Sequence, residues 1–202
     1  MTESSRNSEG QTNGVSLQVL DHVSRLTPGS HAIFCYDDHK IAAQVFNSYL
    51  KGGFERREAV HIIAPNDETY GQLTALLDVD RRTLEETRQL NFVPLSDFVD
   101  NGQLSQAKAY EGRRKIVQTD RQLGFKATRI LGLAEYYLDY ASPSELLQFE
   151  RASSSLPPLT SLCSYHGPRL MDRGLHELLI GLFEFHDEFI GKGLAWSRKS
   201  LE

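Results

Sequence analysis

The sequence predicts an α/β fold: three layers, a mainly parallel sheet of five or more strands with helices on both faces. Three observations predict it. Five short apolar runs are each followed by a longer stretch of helical periodicity, the strand–helix alternation of parallel sheets. Several of those runs are apolar throughout, as in strands covered on both sides. The composition, 40% hydrophobic and 24% charged over 202 residues, is that of an ordinary domain large enough to bury a core.

Residues 1–14 are polar and carry no large aliphatic beyond Met1, so they are expected to be a disordered tail. The domain proper is expected over 15–190, with 191–202 a C-terminal extension. Val15 to Leu26 has the spacing of a short amphipathic helix before the Pro28-Gly29 turn. His31 to Tyr36 reads as the first strand. Ile41 to Phe54 follows as a helix, with Gly52-Gly53 as its stop. Glu58 to Ala64 is the second strand. Helices are expected over Asp67 to Leu77, with Asp67 as cap, and over Asp80 to Gln89. Leu90 to Leu95 is the third strand, and Ser96 to Ser105 a long mobile loop. Leu104 to Leu123 is a long helix closed by Gly124. Thr128 to Ala134 is the fourth strand. Ser142 caps a helix that begins with Pro143. Leu159 to Tyr165 is the fifth strand, and Gly174 to Ile190 the closing helix, with Phe183, Phe185, His186, Phe189 and Ile190 as its packing face.

Charge and motifs exclude several functions. With 22 Lys+Arg against 27 Asp+Glu the net charge is −5, without the clustered basic surface that nucleic-acid binding needs. No apolar run reaches the ~18 residues of a membrane span, and the N-terminus lacks a secretory h-region. Cys35 and Cys163 stand far apart with no CxxC partner, the usage of a reducing cytoplasm. Neither GxxxxGK[ST] nor GxGxxG follows the first strand. Asp37 and Asp38 at the next helix start would repel a phosphate there. There is no HExxH, no zinc-spaced Cys/His pair and no GxSxG elbow, so no catalytic residue, metal ligand or cofactor is expected. One exception stays open: Cys35 with His39 and Cys163 with His166 could cluster if their strands are neighbours.

In an open parallel sheet the functional crevice lies beyond the carboxyl ends of the strands. That rule selects Tyr36, Asp37 and Asp38 with His39 just beyond, then Pro65 and Asn66, then Ser96 and Asp97, then Glu135, Tyr136 and Tyr137, then Ser164, Tyr165 and His166. Aromatics with one carboxylate and one amide suit a small-molecule pocket. His31 stands at the opposite, amino end.

The order of these pieces resembles the MEDS domain, a sensory domain named for methanogens, methylotrophs and the dichloromethane-responsive regulator. The resemblance rests on Gly29 to Asp38 (GSHAIFCYDD), Leu50 to Glu55 (LKGGFE) before Ala59 to Ile63, Gly124 to Glu135 (GFKATRILGLAE), and Phe149-Glu150 before Leu162 to Tyr165 (LCSY). It spans about residues 22 to 190. The chain departs from the family in having Ile33 where a Cys is frequent, and Tyr136 and Tyr137 where an aromatic, often Trp, follows the Glu. The resemblance implies a RecA-like fold without the phosphate loop, sensing small hydrocarbon derivatives or other small organic ligands. The expected ligand-binding set is then His31, Tyr36, Asp37, Asn66, Arg129, Glu135, Tyr136 and Tyr165, with Tyr36 and Tyr165 as walls and Glu135 orienting a polar group. Little chain is left for an output module, so either a signalling or regulatory protein partner carries the output or the chain is a fragment of something longer; self-association is compatible with this. The rival reading is a ligand-independent interaction module, a degenerate RecA-like domain that docks a kinase through its acidic first loop and closing helix.

Overall fold

The computed structural model describes residues 14–153, 159–172, 175–191 and 195–197; the expected tail, apart from Gly14, lies outside them. Helix α1 (Leu17–Ser24) is capped by the Ser16 hydroxyl, which accepts from the Val19 amide. Strand β1 (His31–Tyr36) leads to α2 (His39–Glu55), which the Asp38 carboxylate caps at the Lys40 amide. After β2 (Ala59–Ala64) comes α3 (Asp67–Ala75). Its cap is Asn66, one residue earlier than the sequence suggests, accepting from the Thr69 amide at 2.8 Å. Then follow α4 (Arg81–Glu86), β3 (Leu90–Pro94) and a 3-10 turn over Leu95–Phe98.

The stretch expected as a mobile loop is ordered. Strands β4 (Val99–Asp100) and β5 (Gln103–Leu104) form a two-residue hairpin through Asn101 and Gly102, both at positive φ. Asn-Gly is the pair such a turn favours, and Phe98 beside it is buried and anchors it. Helix α5 (Gln106–Gln122), β6 (Thr128–Leu133), a 3-10 turn over Ala134–Asp139 and α6 (Pro143–Ser153) come next. Ser142 and Glu145 cap α6 reciprocally: each side chain bonds the other's backbone amide, at 2.7 and 3.4 Å. The chain continues through β7 (Leu159–His166), α7 (Gly167–Asp172), α8 (His176–Phe185), β8 (Glu188–Ile190) and β9 (Ala195–Ser197).

The sheet runs β3-β2-β6-β7-β1-β8-β9, with six parallel strands and an antiparallel β9 at one edge. Alternate residues along each strand serve the two helical layers. Phe34, Ile62, Leu131 and Leu162 pack with α1, α2 and α3; Ile33, Ile63, Ile130 and Cys163 pack with residues of α5, α6 and α8.

The C-terminal region corrects the sequence reading twice. The closing helix stops at Phe185, and Phe189 and Ile190 belong to a strand beside β1. The Asp187 amide donates to the His31 carbonyl at 2.8 Å, starting this parallel pairing where a helix would need an intrahelical acceptor. Part of the expected extension, residues 195–197, joins the sheet. A third correction concerns Gly52 and Gly53: α2 runs through both. A Cβ on Gly52 would collide with the Ser24 carbonyl of α1, and one on Gly53 would lie 2.8 Å from Arg129 Cδ. These glycines permit close packing; they do not end the helix.

Candidate functional site

At the carboxyl ends of β1, β6 and β7 a cleft of about 380 Å³ opens between α2, α3 and the turn after β6. Phe46 of α2, Leu73 of α3 and Leu133 of β6 form an apolar wall. Tyr36 ends β1, and its hydroxyl donates to Glu135 Oε1 at 3.1 Å. Glu135 is only 4% exposed, and its second oxygen, Oε2, is buried without a hydrogen-bond partner. Burial lifts the Glu135 carboxyl to about 7, outweighing the Tyr36 hydrogen bond and the attraction of Arg169. Burial, followed by the repulsion of Glu135, drives the Tyr36 phenol above its ordinary range.

The mouth is aromatic and basic. The rings of His39 and His166 stack with centroids 5.0 Å apart, and Tyr36 lies 5.3 Å from His166. Burial, then the neighbouring His39, lowers the His166 pKa. The Arg169 guanidinium sits 4.5 Å from the Tyr136 ring centroid and donates to both carboxylate oxygens of Asp139 at 2.9 and 2.8 Å. The cleft therefore offers an apolar wall and one carboxyl that can donate or accept near neutral pH. A small organic molecule carrying a hydroxyl or amine matches that arrangement.

Of the eight residues expected to bind ligand, the structure brings Tyr36, Glu135 and Tyr136 together here. Asp37 and Asn66 are exposed, and Asn66 is occupied as the α3 cap. Arg129 lies at the start of β6, the far end of the sheet. Its Nε donates to Glu58 Oε2 at 2.6 Å, and its other nitrogens donate to the Tyr49 and Leu26 carbonyls at 3.1 and 2.9 Å. Tyr165 and His31 face the opposite helical layer. Residues that the sequence reading did not assign to the site, Phe46, Leu73 and Arg169, complete the cleft.

The pairing that would bring Cys35 and His39 towards Cys163 and His166 does occur, since β1 and β7 are neighbours. A different group forms. Among the described residues, His31, Glu150, Cys163 and His186 present ligand-type atoms all within 4.8 Å of one another, and all four are buried. His31 Nε2 lies 3.4 Å from Cys163 Sγ and 3.4 Å from Glu150 Oε2, while Cys163 Sγ is 3.6 Å from that same oxygen. Tyr165 donates to the other oxygen, Glu150 Oε1, at 2.9 Å.

Comparison with known proteins follows the same lines. The family model described as MEDS, the methanogen/methylotroph, DcmR sensory domain, matches residues 30–180. The chain belongs to the MEDS family. No curated relative matches it. Solved structures share its fold at low identity. PH0321 from Pyrococcus horikoshii, an uncharacterized protein crystallised with an unknown peptide, has a TM-score of 0.62 at 15% identity, covering 85% of this chain and 81% of that one. PH0250 from Pyrococcus horikoshii OT3 gives 0.55 at 10%, covering 86% and 87%. The flagellar accessory protein FlaH from Methanocaldococcus jannaschii gives 0.51 at 13%, covering 85% and 75%. The MEDS fold here is thus RecA-like, and its β1–α2 junction carries Tyr36-Asp37-Asp38-His39 in place of a phosphate loop. No helix among the described residues is long and apolar enough to cross a membrane.

Proposed function

We propose that this MEDS domain is a cytoplasmic small-molecule sensor, not an enzyme, that takes a small organic ligand in the strand-end cleft and signals through a partner protein. The observation that carries the reading is Glu135 Oε2, a buried oxygen without a partner in a cleft with an apolar wall. Leaving such a group unsatisfied costs about 1–3 kcal/mol, which a ligand donor would recover. The ligand would touch α2, α3 and the turn after β6, three elements separate in the chain, so occupancy would couple their positions. The Arg169–Asp139 pair joins that turn to α7 and offers a route to the surface.

Thermal shift and calorimetry with small alcohols, primary amines and halogenated methanes test this. Binding should raise the Tm of the wild type, weaken in Tyr36→Phe and weaken most in Glu135→Gln. Responses indifferent to both substitutions would remove the ligand from this cleft. Capture of a signalling protein that persists unchanged in ligand-free, cleft-mutated protein would instead favour a docking module.

A further inference from the structure

The cluster on the opposite helical layer is separate from the cleft, and three of its four ligand-type atoms have the spacing of a coordination sphere, with the fourth within 4.8 Å. We propose that His31, Glu150, Cys163 and His186 form a buried, four-coordinate site for a divalent transition metal of the zinc class. The argument begins with distances. Bond lengths of ~2.0–2.3 Å around tetrahedral zinc put neighbouring ligand atoms about 3.4 Å apart for nitrogen and oxygen, and about 3.6 Å where sulfur is one of them. His31 Nε2–Glu150 Oε2 is 3.4 Å, Cys163 Sγ–Glu150 Oε2 3.6 Å and His31 Nε2–Cys163 Sγ 3.4 Å, each within about 0.2 Å of one triangular face of such a tetrahedron. A hydrogen bond between an imidazole and a carboxylate would be shorter, about 2.7–2.9 Å.

The fourth corner is His186. Its Nδ1 is 2.7 Å from the Leu182 carbonyl, which makes Nδ1 the protonated nitrogen. Nε2 is left with a lone pair, is buried, and has no hydrogen-bond partner. The His186 ring lies 4.0 Å from that of His31. His31 repeats the arrangement, with Nδ1 3.2 Å from the Phe185 carbonyl and Nε2 turned to the cluster. Histidines that bind metals characteristically donate their second nitrogen to a backbone carbonyl, and both of these do. The outer shell is completed by Tyr165, which holds Glu150 Oε1.

The donor set suits the ion. Imidazole, thiolate and carboxylate together are borderline-soft, and the thiolate and carboxylate supply two negative charges to a dication. On binding, the Cys163 sulfur forms the metal bond as its proton leaves to solvent. Four protein ligands with no open position describe a structural site. It would tie β1, α6, β7 and the segment between α8 and β8 into one unit. Sequence spacing points away from this, because the ligands stand at positions 31, 150, 163 and 186 with no paired motif.

Metal analysis of the full chain, purified under reducing conditions without chelator, should return an equivalent of zinc per chain. Zinc added to the chelator-stripped wild type should raise its Tm. Cobalt in place of zinc should give a thiolate-to-cobalt charge-transfer band, lost in Cys163→Ser. Tyr165→Phe keeps all four ligands, and should weaken zinc affinity by about 10–100-fold as an outer-shell change. If Cys163→Ser fails to fold, the wild-type titration and Tyr165→Phe still decide. A folded, reduced wild type that shows neither the cobalt band nor a zinc-dependent Tm would overturn the site. So would a cobalt band unchanged in folded Cys163→Ser.

Discussion

The Tyr36 hydroxyl donates to Glu135 Oε1 across 3.1 Å, joining the end of β1 to the turn after β6, which are not neighbours in the sheet. The bond spans β7 and brings together residues 99 positions apart in the chain. It fixes one carboxylate oxygen, while the other is buried without a hydrogen-bond partner. Holding a carboxyl there without a second partner has a measurable consequence for stability.

Glu135 titrates at about 7 in the folded chain, against about 4.3 for an unfolded glutamate. Between those values the folded state binds more protons than the unfolded state, so this residue's contribution to stability falls as pH rises through that window. The difference amounts to a few kcal/mol. Glu135→Gln cannot ionise, so the stability of the wild type relative to this variant should decline from pH 4 to 8. Urea denaturation of both proteins across that range measures it. A constant difference would place Glu135 in contact with solvent.

Arg129 and Glu58 predict an asymmetry. Glu58 accepts from Arg129 Nε at 2.6 Å and from the half-exposed Arg56 at 2.9 Å, whereas Arg129 is fully buried. Glu58→Gln leaves a buried guanidinium without its counter-charge and should cost about 3–5 kcal/mol. Arg129→Met leaves Glu58 still paired with Arg56 and should cost less. Denaturant midpoints that rank the two variants the other way would refute this account of the pair.

The strand-end rule found Tyr36, Glu135 and Tyr136 because it depends only on where strands stop. It failed at Tyr165 for a reason of parity: successive residues of β7 face opposite layers, so His166 reaches the cleft while Tyr165 reaches Glu150. Arg129, expected in the set through the family resemblance and not through that rule, stands at the amino end of β6 and so lies away from the cleft. The buried cluster was hidden by reading the closing helix through to Ile190, which put His186 on a helical face. Glu150 carried a legible signal. It follows the buried Leu146 and Phe149 at helical spacing, and a carboxylate inside an apolar stripe must have partners there. The six-stranded parallel order needed long-range pairing, which no local pattern encodes. The β8 strand, three residues long, is too short for periodicity to reveal.

Two glycines in helices should respond to alanine in opposite directions. A Cβ on Gly52 would strike the Ser24 carbonyl, backbone that cannot rotate away as a side chain would. Alanine there gains about 1 kcal/mol of helix propensity but must push α1 off α2, and overpacking of this kind costs about 1–3 kcal/mol. The collision is with main chain, so the cost should win, with Gly52→Ala less stable than the wild type. Gly71 lies inside α3, where an added Cβ meets nothing within 4 Å. Gly71→Ala keeps the propensity gain unopposed and should stabilise by about 0.5–1 kcal/mol. For a chain of this length 1 kcal/mol moves Tm by about 2–4 °C, so calorimetric scans resolve both signs. A Gly52→Ala variant as stable as Gly71→Ala would mean that α1 is not held at the separation seen between Ser24 and Gly52.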